Sequence, residues 1–148
     1  MKITLIMPKA AIKGMPYDIP IGIGSLSAVL KRAGHAVTVL NLNHYDYSSD
    51  EDLAKYIQST EPEVIGTGGM SFSYNYLQFL LRIAKNACSD TVTMVGGMVV
   101  TSQPDVVYDG LGADIAVIGE VEETVVELME ALSGGGSLAG VNGIMYRD

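Results

Sequence analysis

Short apolar runs, each followed by a stretch of helical periodicity, alternate along all 148 residues of this chain. That alternation constrains the fold more than any other feature. Strands separated by helices do not pair as hairpins; right-handed crossovers carry them into a parallel sheet with helices on both faces. The runs are Ile3-Thr4-Leu5-Ile6-Met7, Val37-Thr38-Val39-Leu40, Glu63-Val64-Ile65-Gly66, Thr91 to Val95 and Asp114 to Ile118. The first is almost wholly apolar, as a central strand covered on both sides should be. Between the runs lie helical stripes: Ile23, Leu26, Leu30 and Ala33, stopped by Gly34; Leu53 and Ile57, capped by Ser49 with Asp52 three residues on; and Leu77, Leu80, Leu81 and Ala84, following Ser73. A short helix follows Pro104 around Asp105 to Tyr108, and a last one carries Val125, Leu128, Met129 and Leu132. After the turn Gly134 to Ser137, Val141 to Tyr146 reads as a short strand at a sheet edge. The expected architecture is α/β: one domain over residues 1–148, a doubly wound, mostly parallel five-stranded sheet in the flavodoxin-like (Rossmann-like) order 2-1-3-4-5, with helices on both faces and a short extra edge strand.

Where strands hand over to helices the chain is poor in side chains: Gly68-Gly69-Met70-Ser71, Gly96-Gly97-Met98 and Gly119-Glu120, beside Met7-Pro8-Lys9. In an open parallel sheet these points share one edge, the carboxyl ends of the strands, where such folds bind ligands. Glycine there lets a broad ligand approach the backbone closely. The chain reads as built around a ligand rather than around a catalytic side chain.

Composition removes several classes. The formal net charge is −8, with acid gathered in Asp50-Glu51-Asp52 and Glu120 to Glu123 and nine scattered Lys and Arg, so no basic face awaits nucleic acid. One cysteine, Cys88, allows no internal disulfide, fits a reducing cytosol and excludes a multi-cysteine metal or iron–sulfur site in this chain. No window approaches a membrane span, and the apolar start ends at Pro8, too short for a signal peptide. A soluble cytoplasmic domain without membrane contact is expected.

Common ligands of this fold class fit poorly. Dinucleotide binding needs G-x-G-x-x-G against the end of the first strand, but Gly22-Ile23-Gly24 comes some fifteen residues after Met7 and Ser27 takes the third glycine position. The second strand closes on Asn41-Leu42-Asn43 rather than on an acid for a ribose. No P-loop occurs, the third strand lacks the aspartate of a receiver domain, and Ala10 to Gly14 is a poor phosphate loop for FMN. Small residues and hydroxyls spread over several loops suit a wide, flat ligand ringed by amides, such as the corrin of cobalamin.

Seven segments, in order, carry a family resemblance: Met1 to Ile6, Pro20-Ile21-Gly22-Ile23-Gly24-Ser25-Leu26, Ala33-Gly34-His35-Ala36-Val37, Pro62 to Gly66, Val95-Gly96-Gly97, Gly119-Glu120-Val121-Glu122-Glu123-Thr124 and Gly143 to Arg147. With these the chain resembles the N-terminal cobalamin-binding domain of cobalamin-dependent radical SAM enzymes. One departure is Val121, where the family usually repeats glycine; it adds a side chain beside the site. The resemblance implies cobalamin as cofactor. It also implies binding without a protein histidine beneath the metal, because the Asp-x-His-x-x-Gly of better-known cobalamin domains is missing between Met7 and Gly22. His35 precedes the second strand and so belongs at the opposite edge, while His44 is at the correct edge on a flanking strand.

The cofactor-binding candidates are Pro20, Gly22, Gly24, Met70, Ser71, Ser73, Gly96, Gly97, Met98, Gly119 and Glu120; no catalytic or metal-ligating residue is assigned. Met70 and Met98 are candidates to cover the lower face of the ring or simply to fill space under the loops. Ser71 and Ser73 are candidates to bond corrin amides or the nucleotide tail, with Ser73 alternatively a helix cap. Glu120 either bonds the ligand or favours the start of the last helix. Gly97→Val is expected to abolish cobalamin retention while leaving apo stability nearly unchanged. Tyr17, Tyr45, Tyr47, Tyr74 and Tyr76 all follow the first three strands and suit a ligand rim or a domain interface.

For an intact enzyme the resemblance implies S-adenosylmethionine cleavage at a cysteine-held iron–sulfur cluster and methyl transfer or related radical chemistry. Neither that cluster's cysteines nor the barrel that bears them is in this chain, so a catalytic C-terminal radical SAM domain is the expected missing partner. On its own the chain should bind cofactor and turn nothing over. The alternatives are a free-standing cobalamin or small-ligand sensor, an accessory subunit, or a scaffold that has lost its ligand.

Overall fold

The computed structural model describes residues 1–9 and 20–147. The loop carrying Ala10 to Gly14, Pro16 and Tyr17 lies outside the described residues. Strand β1 (Lys2–Met7) is central because Ile3 and Leu5 face one layer of helices while Thr4 and Ile6 face the other, all four at most 1 % exposed. Around it stand β2 (Ala36–Asn41), β3 (Val64–Gly68), β4 (Val92–Gly96), β5 (Ile115–Val117) and β6 (Ile144–Tyr146), in the order β2-β1-β3-β4-β5-β6. The first five are parallel, and β6 adds antiparallel to β5 at the edge. The expected order 2-1-3-4-5 with a short edge strand is therefore the order found.

The helices are α1 (Ile21–Arg32), α2 (Asp50–Gln58), α3 (Tyr74–Ala87), α4 (Met98–Thr101), α5 (Pro104–Leu111) and α6 (Glu122–Gly134). Their limits follow local chemistry. Ser49 caps α2 by accepting from the Asp52 N–H at 3.2 Å. Pro104 opens α5, where its missing N–H costs nothing. Gly34 turns the chain out of α1 at φ +91°, and Gly135 ends α6 at φ +62°. Two details depart from the sequence reading. The turn after Gly97 winds into α4, and α6 begins at Glu122, so Glu120 lies two residues ahead of it.

The period of two along the strands sorts side chains into two layers. Ile3, Leu5, Val64, Met94, Ile115 and Val117 meet Leu30 of α1 and Val125, Leu128 and Met129 of α6. Ile6, Ile65, Val95 and Ala116 meet α2, α3, α4 and α5 on the other side. Leu30, Leu128 and Met129 are wholly enclosed, and each stabilises the fold by about 1.5–3 kcal/mol through burial. The buried threonine hydroxyls are partnered: Thr4 with Thr60 at 2.7 Å, Thr67 donating to the Ile6 carbonyl at 2.9 Å and Thr91 to the Pro62 carbonyl at 2.7 Å. At the amino edge the Asp114 carboxylate accepts from Lys85 Nζ and from the Thr93 N–H and hydroxyl, all at 2.8 Å, tying β4 to β5. Among the described residues no helix is long and apolar enough to cross a membrane.

Candidate functional site: an apolar cleft at the carboxyl edge

The register brings the glycines together on one face. Gly66 and Gly68 continue the face that Val64 begins, and Gly68 pairs with Gly96 of β4. Three positions that would otherwise project side chains toward α1 and α6 therefore project none. The sheet and these two helices separate at the carboxyl edge, leaving a cleft of about 410 Å³, the size of a small-molecule site. Its floor is Leu5, Gly66, Met94 and Val117, its helical walls are Ile23, Leu26 and Val125, and its rim is Met7, Pro20, Gly22, Gly68, Gly69, Gly96, Gly97, Gly119 and Glu120.

Of the eleven candidates, six line this cleft: Pro20, Gly22, Gly96, Gly97, Gly119 and Glu120. Gly24 sits one helical step away on α1, with nothing within 4 Å of an added β-carbon among the described residues. Met70 and Met98 follow the rim glycines directly and stand 56 % and 58 % exposed, with Phe72 between them in the chain at 75 %. Ser71 begins the 3-10 turn that contacts α4. Ser73 is buried, makes no side-chain cap to α3, and lies where a β-carbon on Gly69 would be 3.3 Å from its Oγ.

The rim glycines also interlock, which alters the expectation for Gly97. Gly97 has φ +87° and ψ −175°, a backbone region reserved for glycine, and its missing β-carbon would lie 2.9 Å from the Gly69 carbonyl oxygen. A β-carbon on Gly68 would lie 2.5 Å from the Gly96 oxygen. Substitution at Gly97 therefore damages the apo fold as well as any ligand contact, because the obstacle is neighbouring backbone.

Sequence reasoning missed Gly66, Ile23, Leu26, Met94, Val117 and Val125. The spacing Gly66-x-Gly68 inside a strand was the available signal, since glycine at alternate positions bares one face of the pleat. Val121, where glycine was expected, has φ −111°, a value any residue adopts, and its side chain packs into the α1–α6 layer beside the cleft. No glycine is required there.

Polar groups at the rim are largely spent on one another. The Gly69 N–H donates to the Gly96 carbonyl at 3.4 Å, and the Gly69 carbonyl accepts from the Val99 N–H at 2.9 Å. The Gly97 carbonyl accepts from Val100 and Thr101, and the Gly119 N–H donates to Thr101 Oγ1, each at 3.1 Å. Glu122 Oε1 accepts from the Ser25 hydroxyl at 3.0 Å, joining α1 to the start of α6. Its own backbone N–H and this hydroxyl hold the Glu122 carboxyl below the ordinary carboxylate range. The first turn of α1, at the rim residues Pro20 and Gly22, differs: among the described residues no side chain caps it and no acid stands in it, so its leading N–H groups have no partner within the helix.

Neither histidine lines the cleft. His35 lies at the opposite edge with Nδ1 3.3 Å from the N-terminal amine, and burial together with that charge lowers its pKa. Four of the five candidate tyrosines, those among the described residues, also go elsewhere. Tyr45 stacks on Tyr56 with centroids 3.8 Å apart, and the Tyr47 and Tyr76 hydroxyls meet at 2.6 Å, all in the α2–α3 layer. Burial, then the bond from Tyr47, raises the Tyr76 pKa well above its usual value. Tyr74 packs in the layer with α5. Among the described residues no group of three or more His, Cys, Asp or Glu is placed to hold a metal ion. The site offers shape, apolar surface and a few rim donors, features suited to holding and orienting a ligand.

Comparison with known proteins agrees with that chemistry. A family model described as a B12 binding domain matches residues 15–129. The chain is 28 % identical to cytidylyl-2-hydroxyethylphosphonate methyltransferase of Streptomyces wedmorensis, over 99 % of its own length and 31 % of that protein. It is 30 % identical to an uncharacterized methyltransferase of Pyrococcus horikoshii, over 100 % of its length and 33 % of the relative. Its fold matches the radical S-adenosylmethionine methyltransferase TsrM from Kitasatospora setae, solved with cobalamin and a 4Fe-4S cluster bound, with a TM-score of 0.84 at 20 % identity over 99 % of this chain and 29 % of that one. The chain thus spans about a third of the length of the curated relatives it matches. It belongs to the B12-binding domain family, and it resembles the cobalamin-binding domains of cobalamin-dependent radical SAM methyltransferases.

Proposed function

We propose that this B12-binding domain seats the corrin of cobalamin across the glycine edge and the cofactor's tail base in the cleft beneath, as the cofactor module of a larger radical SAM methyltransferase. One observation carries the reading: an apolar cleft opens at an edge stripped of side chains by Gly66, Gly68 and Gly96. At about 410 Å³ the cleft is too small for the whole cofactor. The benzimidazole at the end of the nucleotide tail is cobalamin's flat apolar part, and it matches such a slot. The tail's phosphodiester suits the first turn of α1 at Pro20 and Gly22, which no described side chain caps. Met70 and Met98, with Ser71, stand exposed at the same edge and would meet the underside of the ring. Both histidines lie off the cleft, which supports binding without a protein imidazole under the cobalt.

When bound, cobalamin supplies a cobalt centre that carries a methyl group. The side chains of this domain contribute position: they fix the ring, exclude water from the tail base and leave the outer face of the corrin to the rest of the enzyme. Membership of a larger enzyme is supported by the span of the relatives, and the single cysteine leaves the iron–sulfur cluster to another part of such an enzyme. A catalytic radical SAM domain is the partner this edge would face.

Gly22 and Gly24 test the seat. Both lie in α1 and neither meets a neighbour within 4 Å of an added β-carbon among the described residues, so replacing either by leucine should raise helix stability by up to about 1 kcal/mol. Gly22→Leu fills the cleft mouth and should abolish co-elution of hydroxocobalamin on gel filtration, whereas Gly24→Leu should leave it intact. Undiminished retention by Gly22→Leu would sink the assignment of the cleft.

A further inference from the structure

Natural cobamides share one corrin and differ in the base that ends the nucleotide tail: benzimidazole, purine or phenol. From the chemistry of its lining, we infer that the cleft selects among cobamides, accepting a benzimidazole tail and rejecting a purine one. The inference rests on the reading that the tail base enters this cleft.

A purine brings ring nitrogens and an exocyclic amine that must exchange water for protein partners or lose hydrogen bonds outright. Among the described residues the cleft offers them almost nothing. Leu5, Ile23, Leu26, Met94, Val117 and Val125 present only carbon or sulfur. Thr67, the lining residue with a hydroxyl, commits it to the Ile6 carbonyl at 2.9 Å. At the mouth the Gly96 and Gly97 carbonyls, both backbone groups of Gly69 and the Gly119 N–H are engaged with each other, with α4 and with Thr101, and the leading N–H groups of α1 are left to the phosphodiester. One carboxylate oxygen of Glu122 is held by Ser25, and Glu120 is an exposed residue at the rim, in water rather than in the slot. A dimethylbenzimidazole meets the same surface with methyl and ring C–H groups, for which burial is favourable. The discrimination is steep because it rests on unpaired polar groups in the rejected ligand, not on a small difference in size.

The test is calorimetric titration of the purified chain with hydroxo forms of three probes: the dimethylbenzimidazolyl cobamide, the adeninyl cobamide and tailless cobinamide. The expected result is a Kd for the adeninyl form at least about tenfold above that of the dimethylbenzimidazolyl form. Equal affinity for the two tailed forms overturns the selection and leaves the seat standing. Cobinamide binding as tightly as the dimethylbenzimidazolyl form overturns both selection and seat, and leaves only corrin binding. Binding of none of the three overturns the cobalamin reading itself. Met94→Gln, matched in length, places an amide over Gly66 and should narrow the ratio severalfold, while Met94→Leu should not; an unchanged ratio in Met94→Gln counts against the lining as its source.

Discussion

Replacing Gly97 by alanine isolates the packed backbone that shapes the rim. At φ +87° and ψ −175° an L-residue is strained by about 1–3 kcal/mol. The new β-carbon would also lie 2.9 Å from the oxygen and 3.1 Å from the nitrogen of Gly69. Neither atom belongs to a side chain that could rotate away. The Gly69 nitrogen is tied to Gly96 and its oxygen to Val99, so relief requires moving β3 against β4. Strain and collision together amount to roughly 3 kcal/mol, and at about 2–4 °C per kcal/mol for a domain of this size the apo melting temperature should fall by about 6–12 °C. Gly119→Ala supplies the comparison. Its φ is +79°, but among the described residues nothing lies within 4 Å of an added β-carbon, so the strain of about 1–2 kcal/mol stands alone. Thermal melts of the ligand-free proteins, followed by far-UV circular dichroism, should therefore show a drop for Gly97→Ala about twice that for Gly119→Ala. Equal drops would refute the account of a rim locked by glycine-to-glycine contact.

Two further outcomes follow from the charges and the histidines. Burial opposes ionisation of Asp114, but Lys85 and the Thr93 N–H and hydroxyl outweigh it and lower its pKa beneath the ordinary 3.8. A depressed folded pKa contributes stability above the unfolded value and loses it as pH falls through the folded one. Asp114→Asn should thus lower the melting temperature at neutral pH, with the difference from wild type shrinking below pH 3.8 in a pH series of melts; a difference constant down to acid would contradict the ion-pair account. His35→Ala and His44→Ala should each leave the visible spectrum of bound hydroxocobalamin unchanged, and a shifted cobalt band in either would overturn the histidine-free seat.

Much of this architecture was legible in the residues alone. Apolar runs of strand length alternating with helical stripes dictate a parallel sheet, and the handedness of crossovers then leaves few strand orders, of which the expected one is found. Gly34, Ser49 and Pro104 act through local backbone chemistry, so they mark helix limits without reference to anything distant. The same logic points to the carboxyl edge as the place for a ligand, and the apolar cleft lies there. The open side of that edge does not. It depends on the register that sets Gly68 against Gly96 and aligns Leu5, Gly66 and Met94, residues far apart in the chain whose coincidence on one face no local pattern encodes. The same long-range pairing turns Gly97 into a contact with Gly69, buries Ser73 and sends Tyr45, Tyr47 and Tyr76 to the opposite layer. Local propensity acts over one helical turn or one strand, whereas a cleft is the space left when distant elements fail to fill one another, and that residue of packing exists only once the sheet is assembled.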